Sequence, residues 1–204
     1  MKLANTIAAV ALTITPVAAT ADNITGRYFG ISGGTYTLDP ILSAAGNAVD
    51  VIQNASGEGG FFIGYDRLIN DDLVMGVEAS LSGRSYTIGG IGTGFSFCED
   101  CEPFDYITDS SDFVRVKGKL GMPVGNVGVM YGIVGLSHEE YERTFTNVRT
   151  RQQWSNSSSN TGIVYGVGAS MNVMERFRLS VEHLTDNYDG FETDSFQFGA
   201  AMRF

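Results

Sequence analysis

The sequence predicts an all-β chain: an eight-stranded antiparallel, up-and-down transmembrane β-barrel after an N-terminal signal peptide. Three observations predict it. The N-terminus reads as an export signal. No later stretch approaches the ~20 apolar residues that a membrane-crossing helix needs, although 43% of the chain is hydrophobic. Many short segments alternate apolar with small or polar residues, a period of two rather than 3.6.

The export signal comes first. Met1-Lys2-Leu3 supplies one positive charge, residues 7–14 are largely apolar, and Ala19-Thr20-Ala21 has the small-x-small spacing of a signal-peptidase site. The apolar run is too short to be a spanning helix. Cleavage after Ala21 is expected, which divides the chain into a signal peptide, 1–21, and a barrel domain, 22–204. The residue directly after that site is Asp22 and not a cysteine, so a lipoprotein anchor is not expected.

The strands follow in order. The first two are expected at 28–37 and 61–68. The third, 73–84, turns Glu78, Ser80 and Ser82 to one face. The fourth, 113–122, has Val114, Val116, Gly118, Leu120 and Met122 on one face and Arg115, Lys117 and Lys119 on the other. The fifth, 127–137, is reached through the tight turn Pro123-Val124-Gly125-Asn126. The sixth, 161–173, sets Ile163, Tyr165, Val167, Ala169, Met171 and Val173 opposite Gly162, Gly166, Gly168, Ser170 and Asn172. The seventh, 177–184, sets Phe177, Leu179 and Val181 opposite Arg178, Ser180 and Glu182. The eighth, 195–204, sets Phe196, Phe198, Ala200, Met202 and Phe204 opposite Ser195, Gln197, Gly199, Ala201 and Arg203. A soluble sandwich would bury the apolar face; a membrane barrel turns it to lipid. The connections alternate short (69–72, 123–126, 174–176) and long (38–57, 85–111, 138–160, 186–194), as inner turns and outer loops of a barrel do.

The inward charges are the most informative set. Arg115, Lys117, Lys119, Arg178 and Arg203 are expected to meet Glu78, Glu182 and Asp66. An eight-stranded barrel is only wide enough for side chains to fill it, and charges there must be paired. The expected result is a salt-bridge plug; the alternative is a narrow, gated ion path through the same groups. A wide solute pore needs more strands.

The loops offer weaker signals. Cys98-Glu99-Asp100-Cys101 has redox or metal-ligand spacing, but no helix start or further zinc ligands accompany it. In an oxidising compartment a Cys98–Cys101 disulfide is expected first, free thiols next and metal last. Glu99, Asp100, Glu102, Asp105, Asp109 and Asp112 form an acidic run, for which simple solvation is the first reading and a Ca²⁺ or Mg²⁺ site with oxygen ligands the alternative. A formal charge of −10 argues against a nucleic-acid partner.

Several segments, in shared order, resemble the small outer-membrane β-barrel family of opacity-type and porin-family surface proteins, with an OmpA-like transmembrane barrel. Gly59-Gly60-Phe61-Phe62-Ile63-Gly64-Tyr65-Asp66 resembles its "GG-x-x-IGYN" strand and Val74-Met75-Gly76-Val77-Glu78-Ala79 its "VLGVEG" strand. Val116-Lys117-Gly118-Lys119-Leu120-Gly121 resembles "VRGRLGY", Met130-Tyr131-Gly132 lies near "LYATGG", and Val181-Glu182-His183-Leu184-Thr185-Asp186 stands where the family has "EYRYTD". His183 replaces a tyrosine there, Met122 replaces an aromatic, and the Cys98/Cys101 segment is an insertion.

The resemblance implies a Gram-negative outer membrane, surrounded by lipid and lipopolysaccharide. It also implies assembly by the barrel-assembly machinery, which reads a terminal aromatic strand ending here in Phe204. It implies no enzyme activity, cofactor or metal, and a structural, surface-exposed role; a narrow porin-like channel is the alternative. His183-Leu184-Thr185 is a loose match to the His-x-Ser pair of outer-membrane lipid A deacylases, with threonine for serine. A lipid A-modifying enzyme is therefore the remote third reading, and an interfacial position for His183 the simpler one.

Overall fold

In a computed structural model the chain closes into one barrel of eight antiparallel strands, each paired with its neighbours in sequence and the last with the first. The structure describes residues 24–40, 56–70, 72–89, 106–125, 127–146, 151–174, 176–189 and 191–204. The strands are β1 (Gly26–Pro40), β2 (Ser56–Asn70), β3 (Leu73–Gly89), β4 (Tyr106–Val124), β5 (Gly128–Thr146), β6 (Gln153–Val173), β7 (Phe177–Tyr188) and β8 (Phe191–Arg203).

Alternation fixes which side chains fill the barrel and which coat it. Leu136, Val167 and Phe198 are each more than 60% exposed, whereas Arg115 is 0% exposed. Apolar side chains outside and charges inside invert the pattern of a soluble protein. That pattern fits a barrel whose outer wall is solvated by hydrocarbon, where closure also satisfies every strand edge. The inner wall is not uniformly polar: Val74, Val129, Ile133, Val164 and Leu184 are buried within it.

All eight expected strands are present, but they run further than alternation indicated. Residues 138–160 were expected to be a long loop; β5 instead continues to Thr146 and β6 begins at Gln153, with Glu140 paired to Ser159 and Glu142 to Ser157. The side chains of Ser155, Ser157 and Ser159 are exposed, as are those of Asn156 and Ser158 on the other face. With water on both faces, no alternation is demanded and none is written. The connection expected at 186–194 is likewise mostly strand, because Asp186 and Thr193 stay inside the barrel, paired in the β7–β8 ladder.

The inner turns are tight. Val124 pairs with Gly128 across a turn in which Gly125 has φ +62°, a conformation glycine takes without penalty. Met174 takes the equivalent position between β6 and β7 at φ +69°.

Candidate functional site

The lumen is the candidate site. Its charges form three tiers, each built from strands far apart in sequence.

The outer tier joins Arg115 on β4 to Glu58 on β2 and Asp186 on β7. Arg115 Nη1 lies 2.8 Å from Glu58 Oε1, and its Nε donates to Asp186 Oδ1 at 2.9 Å. Arg84 on β3 reaches the same two acids, Nε to Glu58 at 3.0 Å and Nη2 to Asp186 at 3.1 Å. The Gln197 amide also donates to Glu58. Both guanidinium groups stack on Phe113, with Cζ 4.3 Å from the ring centroid for Arg84 and 4.2 Å for Arg115.

The middle tier is a two-by-two exchange. Lys117 Nζ is 2.6 Å from Glu78 and 2.6 Å from Glu182. Lys119 Nζ is 2.5 Å from Glu78 and 2.9 Å from Glu182. Two tyrosines complete the carboxylates: Tyr28 donates to Glu78 at 3.0 Å and Tyr131 to Glu182 at 2.9 Å. Gly64 makes room for the Tyr28 ring, since a Cβ there would stand 2.3 Å from it. In the inner tier Arg178 pairs with Asp66 and lies over Tyr28, 4.4 Å from the ring centroid.

Glu58, Asp66, Glu78, Glu182 and Asp186 thus meet Arg84, Arg115, Lys117, Lys119 and Arg178 one for one. Burying so many charges is tolerable because each is paired; Arg178, held by Asp66 alone among the carboxylates, keeps its Nη2 buried without a hydrogen-bond partner. A cavity of about 10 Å³, lined in part by Ser80, Lys117, Glu182 and Gln197, holds no more than one water.

The sequence matches the outer membrane protein beta-barrel domain over residues 7–204. The chain belongs to that family. This outer membrane barrel is similar in fold to Ail, the attachment invasion locus protein of Yersinia pestis, with 19% identity, a TM-score of 0.55, and 89% of this chain and 100% of that one covered. It is also similar to a major outer membrane protein of Thermus thermophilus, with 14% identity, a TM-score of 0.52 and 87% and 99% covered. Neisserial surface protein A gives 12% identity, a TM-score of 0.51 and 88% and 98% covered. No curated protein matches the sequence significantly. The barrel resides in the outer membrane, as its family does.

Of the residues singled out from the sequence, the fold brings Glu78, Lys117, Lys119 and Glu182 into one cluster and sets Arg178 beside Asp66. It does not bring Arg115 to Glu78 or Glu182 as expected; the Arg115 guanidinium points outward along the lumen, to Glu58 and Asp186. Arg203 is half-buried near the inner rim and donates to the Thr25 carbonyl at 2.8 Å. Cys98 and Cys101 lie outside the described residues. Phe204 ends the chain at the inner rim, its N–H donating to the Arg27 carbonyl at 3.1 Å.

Sequence reading missed Glu58, Arg84 and Asp186. Each keeps the parity of inward residues already identified: Arg84 continues Glu78, Ser80 and Ser82, and Asp186 continues Arg178 and Glu182. Glu58 lies just before the expected start of the second strand, and Asp186 just past the expected end of the seventh. Glu139, buried on β5, joins none of the described ion pairs.

Proposed function

We propose that this outer membrane barrel is a structural and surface-exposed protein whose lumen is closed by its own salt bridges. The carrying observation is the one-for-one pairing of five carboxylates with five cations across the bore, with room beside them for a single water. A lumen filled in this way spends most of its charge on internal pairs and leaves no continuous open bore at the level of the three tiers. The strand ends that continue beyond the apolar belt, among them those of β5 and β6, are presented to the exterior. Residues 1–21 direct export and are removed. The barrel-assembly machinery inserts the chain through its last strand, and lipopolysaccharide and phospholipid surround it.

A narrow channel is the second reading. The observation favouring it is that Lys117 and Lys119 each touch both Glu78 and Glu182, so the middle tier has alternative pairings of similar geometry. Planar-bilayer conductance of the purified barrel separates the two. A silent protein supports the plug, and discrete steps well above the bare-bilayer leak replace it with the channel.

A further inference from the structure

One buried carboxylate stands apart from the three tiers. Glu139 points inward from β5 and is 5% exposed, and its Oε2 has no hydrogen-bond partner. The five paired carboxylates and five paired cations neutralise one another, so Glu139 is a sixth acid. Arg203 is a sixth cation, but it sits at the inner rim beside Thr25, at the other end of the bore. The nearer guanidinium groups, those of Arg84 and Arg115, are turned to Glu58 and Asp186. Arg84 is also held between the rings of Tyr36 and Phe113, at 4.8 and 4.3 Å from their centroids.

The ladders give the height of Glu139 in the barrel. A path across them from Tyr28 through Gly64, Glu78, Lys117, Gly135, Val164, Asp186 and Thr193 returns to β1 at Leu38, ten residues beyond Tyr28. The rungs therefore climb outward by about one residue per strand. Levelled for that climb, Glu139 shares a height with Ser111 on β4, Tyr188 on β7 and Thr193 on β8. All four side chains are buried in the bore. Tyr188 is hydrogen-bonded to Ser137 at 2.7 Å. Ser111 Oγ and Thr193 Oγ1 are, like Glu139 Oε2, buried without a partner. An unpartnered buried oxygen is costly, and a buried carboxylate without a cation more so. Three such oxygens at one height around one narrow bore point to a shared ligand.

We propose that this level, just outside the Arg84–Arg115 tier, holds one monovalent inorganic cation, sodium or potassium. Glu139 is its counter-charge, and the Ser111 and Thr193 hydroxyls supply oxygen to the ion or to its water. The deficit is one positive charge, which a divalent ion would overfill. Among the described residues no three His, Cys, Asp or Glu side chains gather to hold a metal ion. The unpartnered donors are all oxygens, which suit a hard cation rather than a soft one. The occupant is small, because Glu139 is almost wholly covered and an amine on a longer chain would have to part the strands to reach it. The site needs the barrel fold and does not depend on whether the plug beneath it conducts.

Urea unfolding of the mature barrel in vesicles of zwitterionic lipid tests this, in sodium, potassium and choline chloride at equal concentration. Choline keeps the ionic strength and is too large for the site. Wild type is expected to be more stable in sodium or potassium, by about tenfold in the folding equilibrium constant when the salt is about ten times the dissociation constant. Glu139→Gln keeps the shape, removes the charge and is expected to abolish the difference. Glu140→Gln, on the exposed face of the same strand, is expected to keep it. Ser111→Ala removes one oxygen and no charge, and is expected to shrink the difference several-fold; it keeps the test readable if the Gln variant does not refold. A wild type indifferent to the cation, the result for a protonated Glu139 with only water beside it, overturns the site. So does a difference that survives intact in Glu139→Gln or Ser111→Ala, or one that vanishes in Glu140→Gln.

Discussion

Arg115 of β4 and Asp186 of β7 meet across the bore of the barrel, Nε to Oδ1 at 2.9 Å, with both side chains fully buried. The two strands stand on opposite walls, so this ion pair braces the barrel from within in a way that no strand ladder can.

That brace sets the first prediction. Arg115→Gln leaves Glu58 and Asp186 with Arg84 alone as their cationic partner, at a cost of the order of 3–5 kcal/mol for breaking a buried pair. Adding Asp186→Asn should return part of that loss, because the stranded carboxylate is then neutral. Urea unfolding in lipid vesicles reads both. Costs that simply add would show that the two side chains are not coupled.

The middle tier gives the second. Glu78→Gln leaves Glu182 as the sole carboxylate between Lys117 and Lys119. Stability should fall by about 3 kcal/mol, less where water enters the lumen. Single-channel current should rise if the tier is a gate and stay at zero if it is only a brace. A variant as stable and as silent as wild type would show that Glu78 contributes neither.

Phe204 carries the third. Its side chain is 73% exposed at the inner rim, so its removal takes away little internal packing. Deleting it should leave the stability of refolded protein nearly unchanged while lowering the folded, heat-modifiable fraction in outer membranes. Equal amounts in membranes would argue against a recognition role for the terminal aromatic.

The fourth concerns Cys98 and Cys101. Exported protein alkylated without reduction should show no labelled thiol by mass spectrometry, and two after reduction. Because the ring is short, its loss should cost less stability than a bridge closing a long loop, on the chain-entropy account. Two thiols labelled without reduction would leave the pair free.

The barrel was legible wherever lipid lies on one side and the lumen on the other, because those solvents force opposite chemistry on alternate residues. That is why Phe196 to Phe204 and Val114 to Met122 declare their faces in sequence. Where β5 and β6 rise into water, residues such as Ser157 and Ser158 carry no such constraint, and the strands there are invisible to periodicity. The lumen residues were legible as a set and not as pairs. Parity placed Arg115 inside, but whether its guanidinium turns towards Glu78 or Glu58 depends on stagger around the barrel and on Phe113 beneath it. His183 looked like a single misplaced residue. The ladder sets it between Val167 and Phe196 on the outer wall.

The three tiers bear on how the barrel forms. Strands β1 to β4 carry Arg84, Arg115, Lys117 and Lys119 against Glu58, Asp66 and Glu78, an excess of one cation in the lumen set. Strand β7 brings Glu182 and Asp186 with Arg178, an excess of one carboxylate. Until β7 arrives, Arg115, Lys117 and Lys119 each lack a carboxylate that they hold in the closed barrel. The seventh strand completes those pairs, so the interior gains much of its electrostatic stabilisation only at closure. Such a chain is suited to closing its barrel as one cooperative event, with few stable hairpins along the way.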